Sequence, residues 1–186
     1  MPGIVEKWTD GKGLFESEIE FTGKHAIYVK YLKEELKVFP TYREVYILGA
    51  IIGFLEKKKG SYDNNSKKET ASIFADAFSG KYRSQLKFIY RTIMLLDNED
   101  KLSLEERKNR AFRDDPQTNK DLIRENMAIF NDYVCGGVEY LYTQLQLKNP
   151  DDLDAKVKKI KEFLTWISAE NKLIVDKELS SFNFEE

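Results

Sequence analysis

"FPTYREVYILGAIIGFLEKKKG", residues 39–60, contains an eleven-residue run without charge (45–55), closed by three lysines. A membrane-spanning helix needs about 20 predominantly apolar residues. This run is far shorter and is bracketed by Arg43, Glu44 and Glu56, so a membrane anchor is not the expected reading. Pro40 interrupts the preceding pattern. Thr41 and Glu44 then carry the Thr-x-x-Glu signature of a capping box, in which hydroxyl and carboxylate satisfy amide donors at a helix start. A helix over about 42–58 follows. Val45, Tyr46, Ile47, Leu48, Ile51, Ile52, Phe54 and Leu55 cover every angle of it, which in a soluble protein means burial among other helices. The expected fold is therefore all-α, a compact multi-helix bundle around this buried central helix. Gly49 and Gly53 lie four apart on one face. Each costs about 1 kcal/mol against alanine in a helix, and close approach of another backbone at that face would offset it. Lys57, Lys58 and Lys59 stand where the carbonyl end of a helix favours cations, and Gly60 can take the left-handed cap.

On either side the chain reads as more helices. "SEIEF" (17–21) alternates weakly, as a short edge strand or an arm would. Ile27, Tyr28, Tyr31, Leu32 and Leu36 recur at helical spacing. "SYDNNSKKE" (61–69) is a polar loop, and "TASIFADAFSG" (70–80) fits either a short helix or an extended segment. Tyr82, Leu86, Ile89, Ile93 and Leu96 fall at steps of four and three, an amphipathic helix ending in "DNED". Ser103 and Glu106 repeat the capping-box pattern and predict a short helix to about Phe112. The longest helix is expected over 119–147, with Ile123, Met127, Phe130, Val134, Val138, Leu141 and Leu145 as its stripe. Asn149 as cap and Pro150 at the first position predict a last helix striped by Leu153, Val157, Ile160, Leu164 and Ile167. The organisation expected is an N-terminal arm (1–20), one helical domain (21–170) and an acidic, aromatic tail (171–186).

Length and composition support this. A chain of 186 residues can bury roughly 70% of its unfolded surface as one domain. Hydrophobic residues make up 41% and charged residues 33%, with four prolines and ten glycines, which suits a helical soluble protein. The single cysteine, Cys135, cannot form an internal disulfide, and the N-terminal residues lack the pattern of a signal or transit peptide. A cytoplasmic location is expected.

Groups for catalysis are few. His25 and Cys135 are the only histidine and cysteine and could at most form a nucleophilic pair. Cys135 in mid-helix beside the apolar stripe reads as a small buried thiol, and His25 as a capping or surface residue. No Gly-rich phosphate loop, HExxH or EF-hand pattern occurs, and no cofactor or metal is expected. The carboxylates of "DNED", "RDDP" and "NPDD" sit at predicted helix ends, where acids cap and solubilise. An all-carboxylate Mg²⁺ site remains the enzyme alternative.

Charge is distributed unevenly. Lys57, Lys58, Lys59, Lys67, Lys68, Lys81, Arg83, Lys87 and Arg91 face only three acids between residues 57 and 91. That local balance of +6 leaves −8 for the rest of a chain whose net charge is −2. Such a segment can steer a face toward phosphates or an acidic protein. It can equally be a solvated loop with its flanking helix ends. Tyr82 belongs to the predicted core stripe, so a base-stacking platform is not indicated. Gly136 and Gly137, adjacent in mid-helix, cost on the order of 2 kcal/mol by propensity. A close helix crossing at Gly137 is the first reading, a hinge the second and a ligand notch the third.

Three stretches together carry a resemblance: "FPTYREVYILGAIIGF" (39–54), "LKFIYRTIMLL" (86–96) and "IFNDYVCGGVEYLYTQL" (129–145). In this order they resemble segments of the small accessory proteins encoded with DNA phosphorothioation (Dnd) modification and restriction clusters of bacteria, over roughly residues 24–147. The shared features are Phe-x-Thr-Tyr opening a buried helix and Tyr-x-x-Gly-Gly-hydrophobic-Glu at residues 133–139. This chain has Val-Cys-Gly-Gly where Ala-Asn-Gly-Gly is expected. The resemblance implies an accessory role in bacterial defence against foreign DNA; taken with the shortage of catalytic groups and the +6 segment, the expectation is a non-enzymatic subunit of a DNA-modification or anti-phage defence system, with protein subunits and double-stranded DNA as candidate partners. The nine basic residues are then the candidate DNA contacts. An alternative is an interaction or homo-oligomer module whose Phe182 and Phe184 occupy a neighbour's groove. A carboxylate-metal nuclease is the further alternative.

Overall fold

The computed structural model describes residues 3–8, 11–60, 69–97 and 100–181, with side chains described through residue 169. The uncharged run 45–55 lies in a helix over Tyr42–Leu55, and its neighbours explain its composition. In chain order the elements are strands β1 (Ile4–Lys7) and β2 (Glu18–Thr22), helix α1 (Gly23–Lys30) continuing into a π-helical turn (Tyr31–Glu35), and α2 (Tyr42–Leu55). Strand β3 (Thr70–Ile73) and a 3₁₀ turn (Ala75–Phe78) follow, then α3 (Lys81–Leu96), α4 (Leu104–Phe112), α5 (Lys120–Leu145) and α6 (Leu153–Ser181). They fall into two compact units, Met1–Tyr142 and Thr143–Glu186.

The fold is mostly helical but not all-α. β1, β2 and β3 form an antiparallel sheet with β2 in the middle, registered as Ile4 opposite Phe21 and Ile19 opposite Ile73. "EIEFT" therefore makes a central strand and not an edge or arm. Its alternation is the reason: Ile19 and Phe21 are fully buried, while Glu18 and Glu20 on the other face both pair with Lys7 (2.8 and 3.2 Å). The expected arm, residues 1–20, includes all of β1 and most of β2. The expected boundary near residue 170 falls inside α6.

Beneath the sheet, Phe15, Phe21, Tyr46, Phe78, Tyr90 and Phe130 form one aromatic cluster, with ring centroids 5.7–6.5 Å apart. Tyr46 donates its hydroxyl to Asn131 Oδ1 at 2.7 Å, so burying the phenol leaves no donor unmet. α2 buries Val45, Tyr46, Gly49, Ala50, Ile52 and Gly53. Its Ile47, Leu48, Ile51 and Phe54 are half-buried and Leu55 is exposed. Shelter on every side gives way to one partly open face.

The helix ends also depart from the local reading. Thr41 bonds the Glu44 carboxylate side chain to side chain, and no side-chain bond caps the backbone there. At Ser103 and Glu106 the reciprocal box is complete, with bonds of 3.2 and 2.8 Å. Lys57, not Gly60, takes the left-handed conformation after α2 (φ 50°), as the amide of Lys58 donates back to Gly53 O at 2.8 Å. At the start of α6, Asp152 Oδ1 accepts from the Ala155 amide (3.0 Å), one turn later than the Asn149–Pro150 reading. α6 leaves Leu153, Val157 and Leu164 of its expected stripe exposed. Among the described residues no helix is long and apolar enough to cross a membrane.

Candidate partner-binding face

α3 buries Leu86, Tyr90, Ile93 and Met94, so the inward stripe is rotated from the one periodicity suggested. Leu96 is exposed and Ile89 half-buried. Tyr82 is also half-buried and stacks under the Arg43 guanidinium, 3.5 Å from its ring centre. The rotation brings Phe88 to the outside, 71% exposed. Burying a phenylalanine yields about 2 kcal/mol, and the isolated chain forgoes most of that here.

Phe88 separates two grooves. One, about 520 Å³, lies between α3 and Ile47 of α2. The other, about 470 Å³, lies between α3 and Phe112 of α4, itself 55% exposed. The two linings contain two cations, Lys87 and Arg91, and no carboxylate. Arg91 is held by Asp114 at 2.6 Å and lies 5.5 Å from the Phe112 ring centre. The second groove is fixed from below by a buried polar network. Arg110 of α4 pairs with Asp97 (3.0 Å) and donates to Met94 O (3.1 Å). Tyr133 of α5 donates to the other Asp97 oxygen at 3.2 Å. These bonds tie the end of α3 to α4 and α5, so the floor between Phe88 and Phe112 is a braced surface.

The nine basic residues do not form one cluster. Lys57, Lys58 and Lys59 follow the end of α2, with Lys58 and Lys59 over the Tyr140 and Tyr133 rings (6.0 and 5.0 Å). Lys81 sits 5.2 Å over Tyr82, beside Arg43 at the start of α2, roughly 20 Å away at 1.5 Å rise per residue. Arg83 is tied to Glu16 at 3.4 Å. Lys87 and Arg91 line the Phe88 grooves. Lys67, Lys68, Phe182 and Phe184 lie outside the described residues.

The glycines meet. A Cβ on Gly53 would overlap the Tyr133 carbonyl oxygen and stand 2.7 Å from its carbon, and one on Gly137 would stand 2.7 Å from both Gly49 C and Gly53 N. Gly136 lies as tightly against the carbonyl of Lys58. α2 and α5 thus cross backbone to backbone, the space at Gly137 being filled by α2 and that at Gly136 by the Lys58–Lys59 backbone that follows it. His25 is fully buried, not at the surface, and its Nε2 lies 2.9 Å from Glu139 Oε1. Its ring and the Cys135 sulfur both abut Gly3. Burial, with Asp132 and Glu139 nearby, pushes the Cys135 thiol well above the usual thiol range. Among the described residues no group of three or more His, Cys, Asp or Glu side chains could hold a metal ion.

Sequence periodicity alone did not single out Phe88. Its signal is that it lies off the buried stripe, an apolar residue between two cations. Compared with known proteins, the chain matches the family model described as DNA sulphur modification system-associated protein 4 over residues 19–172. No curated protein and no solved structure matches it.

Proposed function

This chain belongs to the family of DNA sulphur modification system-associated protein 4, and from that premise we propose that it is a non-enzymatic accessory subunit of that system, docking through the Phe88 face onto a protein of the modification or defence machinery. The observation that carries the proposal is Phe88, 71% exposed between two grooves on a braced floor. Aromatic anchors of this kind, flanked by arginine, are typical of interface hot spots. With Lys87 and Arg91 on the linings and no carboxylate, the complementary partner surface is apolar and bordered by acidic side chains. The protonated thiol of Cys135 and the enclosure of His25 support a role without nucleophilic catalysis.

Duplex DNA fits this face less well. A phosphate surface offers nothing to Phe88, and Arg83 and Arg91 already hold internal carboxylates.

The test titrates each purified protein of the sulphur-modification machinery, and separately duplex DNA at several salt concentrations, against the wild type, Phe88→Asp and Lys57–Lys59→Glu. One protein should bind the wild type, and Phe88→Asp should weaken it at least tenfold with an unchanged melting temperature. Equal binding by Phe88→Asp refutes the assignment of the face. Salt-dependent DNA binding lost only in the lysine variant replaces it with a nucleic-acid reading. A mass by light scattering that falls in Phe88→Asp replaces it with self-association.

A further inference from the structure

Away from the Phe88 face, three cations converge where the loop after β1 meets the start of α5. Lys12 comes from the loop, and Lys120 and Arg124 stand about 6 Å apart along α5. All three are exposed, and they border one depression with Trp8, Pro116 and Ile123, whose lining contains no carboxylate. The local chain fixes their positions. The Trp8 amide donates back to Glu6 O at 3.0 Å, so the chain turns at the end of β1, and Gly11 takes the left-handed conformation (φ 79°) just before Lys12. On the other side, Asp115 accepts from the Gln117 amide (3.1 Å) and the Thr118 hydroxyl (2.8 Å). The Ile123 amide donates to Asn119 O at 3.0 Å, which sets where α5 begins.

Like charges four apart on a helix, as Lys120 and Arg124 are, repel each other, and Lys12 adds a third. The neighbouring acids do not offset this. Asp115 is committed to its own turn, and Asp114 holds Arg91 at 2.6 Å. Asp121 and Glu125 project about a quarter-turn or more round α5 from the Lys120–Arg124 row. Glu6, across Trp8, has both carboxyl oxygens shut off from solvent, and burial raises it to about 8, so it carries little charge at neutral pH. Asp132, farther along α5, lies beside Lys59. Among the described residues no ion pair engages Lys12 or Arg124.

We propose that Lys12, Lys120 and Arg124 hold the phosphates of a single-stranded nucleic acid while Trp8 stacks on one of its bases. The depression, about 10 Å³, has room for no more than a water-sized group. The ligand therefore lies across the cations and does not enter between them, as a strand running over a surface does. An aromatic ring set among cations along a strand path holds unpaired bases without reading their sequence. A duplex keeps its bases stacked on one another and leaves Trp8 nothing to stack on.

The experiment titrates the full chain into fluorescein-labelled oligothymidylate of about 12 nucleotides, within the usual site sizes, and follows anisotropy at several salt concentrations. The competitors are the unlabelled strand, the same strand as a duplex, and inorganic polyphosphate, which has charge but no base. The wild type should bind with a log–log salt slope of about −2, as three phosphates of a single strand require. The triple variant Lys12→Glu, Lys120→Glu, Arg124→Glu changes surface positions alone and should lose at least tenfold in affinity with an unchanged melting temperature. Trp8→Leu should weaken the strand about tenfold, the loss of one stacked base, with the salt slope unchanged. Phe88→Asp should bind as the wild type does, which separates this site from the partner face. Absence of binding at low salt, equal binding by the triple variant or by Trp8→Leu, or a loss in Phe88→Asp overturns the proposal. So does displacement of the labelled strand by duplex or polyphosphate as readily as by the unlabelled strand.

Discussion

Substituting Gly53 by alanine tests the crossing on which the fold depends. A methyl group there would overlap the Tyr133 carbonyl oxygen, and even the carbonyl carbon, 2.7 Å away, lies well inside the 3.4 Å at which ordinary contact begins. α2 and α5 must separate by roughly 1 Å or more to clear that oxygen, and a gap of about 1 Å already forfeits about half of the dispersion well. Phe54, Tyr133, Val134 and Val138 pack at this crossing, each worth about 2 kcal/mol of burial. The loss is about 4 kcal/mol, less about 1 kcal/mol regained from helix propensity. Gly53→Ala should therefore destabilise by about 3 kcal/mol, a large share of a stability of about 5–15 kcal/mol. Gly49→Ala is the internal control. Its methyl would meet Val134 O at 3.0 Å and Val138 Cγ2 at 3.2 Å, a shift of tenths of an ångström that propensity offsets, so it should stay within about 0.5 kcal/mol of wild type. Urea denaturation followed by helical circular dichroism measures both. Equal stabilities, or the reverse order, would refute the backbone-to-backbone crossing.

Glu6 should make stability fall with pH. Its native carboxyl is raised from 4.5 to about 8, so the folded state holds a proton the unfolded chain has lost. The associated stability is fully present below pH 4.5 and is lost as pH rises to 8, at about 1.4 kcal/mol per unit. Denaturation of Glu6→Gln at pH 5, 6, 7 and 8 should show that slope removed; parallel curves for the two proteins would contradict the burial. Asp97→Asn leaves the buried Arg110 with only the exposed Asp100 carboxylate, 4.0 Å away, and should cost about 3 kcal/mol in the same assay. A loss under 1 kcal/mol would mean that Arg110 reaches water.

How much of this could be read in advance varies with the range of the interaction. The apolar stripe of α5, from Ile123 to Leu145, is entirely buried, and the Ser103–Glu106 box closes within four residues. Both depend on neighbours along one helix. Thr41 and Glu44 have the same pattern as Ser103 and Glu106, yet they bond to each other, with Arg43 held 2.6 Å from Glu44. The candidate face was half legible. Lys87 and Arg91 stood out by charge, but Phe88 did not, because a helix with apolar residues on two sides does not declare which side faces inward.

Composition and spacing by themselves determined the helical run through residues 42–55, the glycines that let something approach it, and the long stripe that would be that something. Those are properties of a single periodic segment in water. Only the tertiary structure decided that β3 joins β2 across some fifty residues, that Phe88 stays outside, and that the Glu6 carboxyl is enclosed with no hydrogen-bond partner among the described residues. Each is set by which distant surfaces exclude water together, and local periodicity holds no record of that.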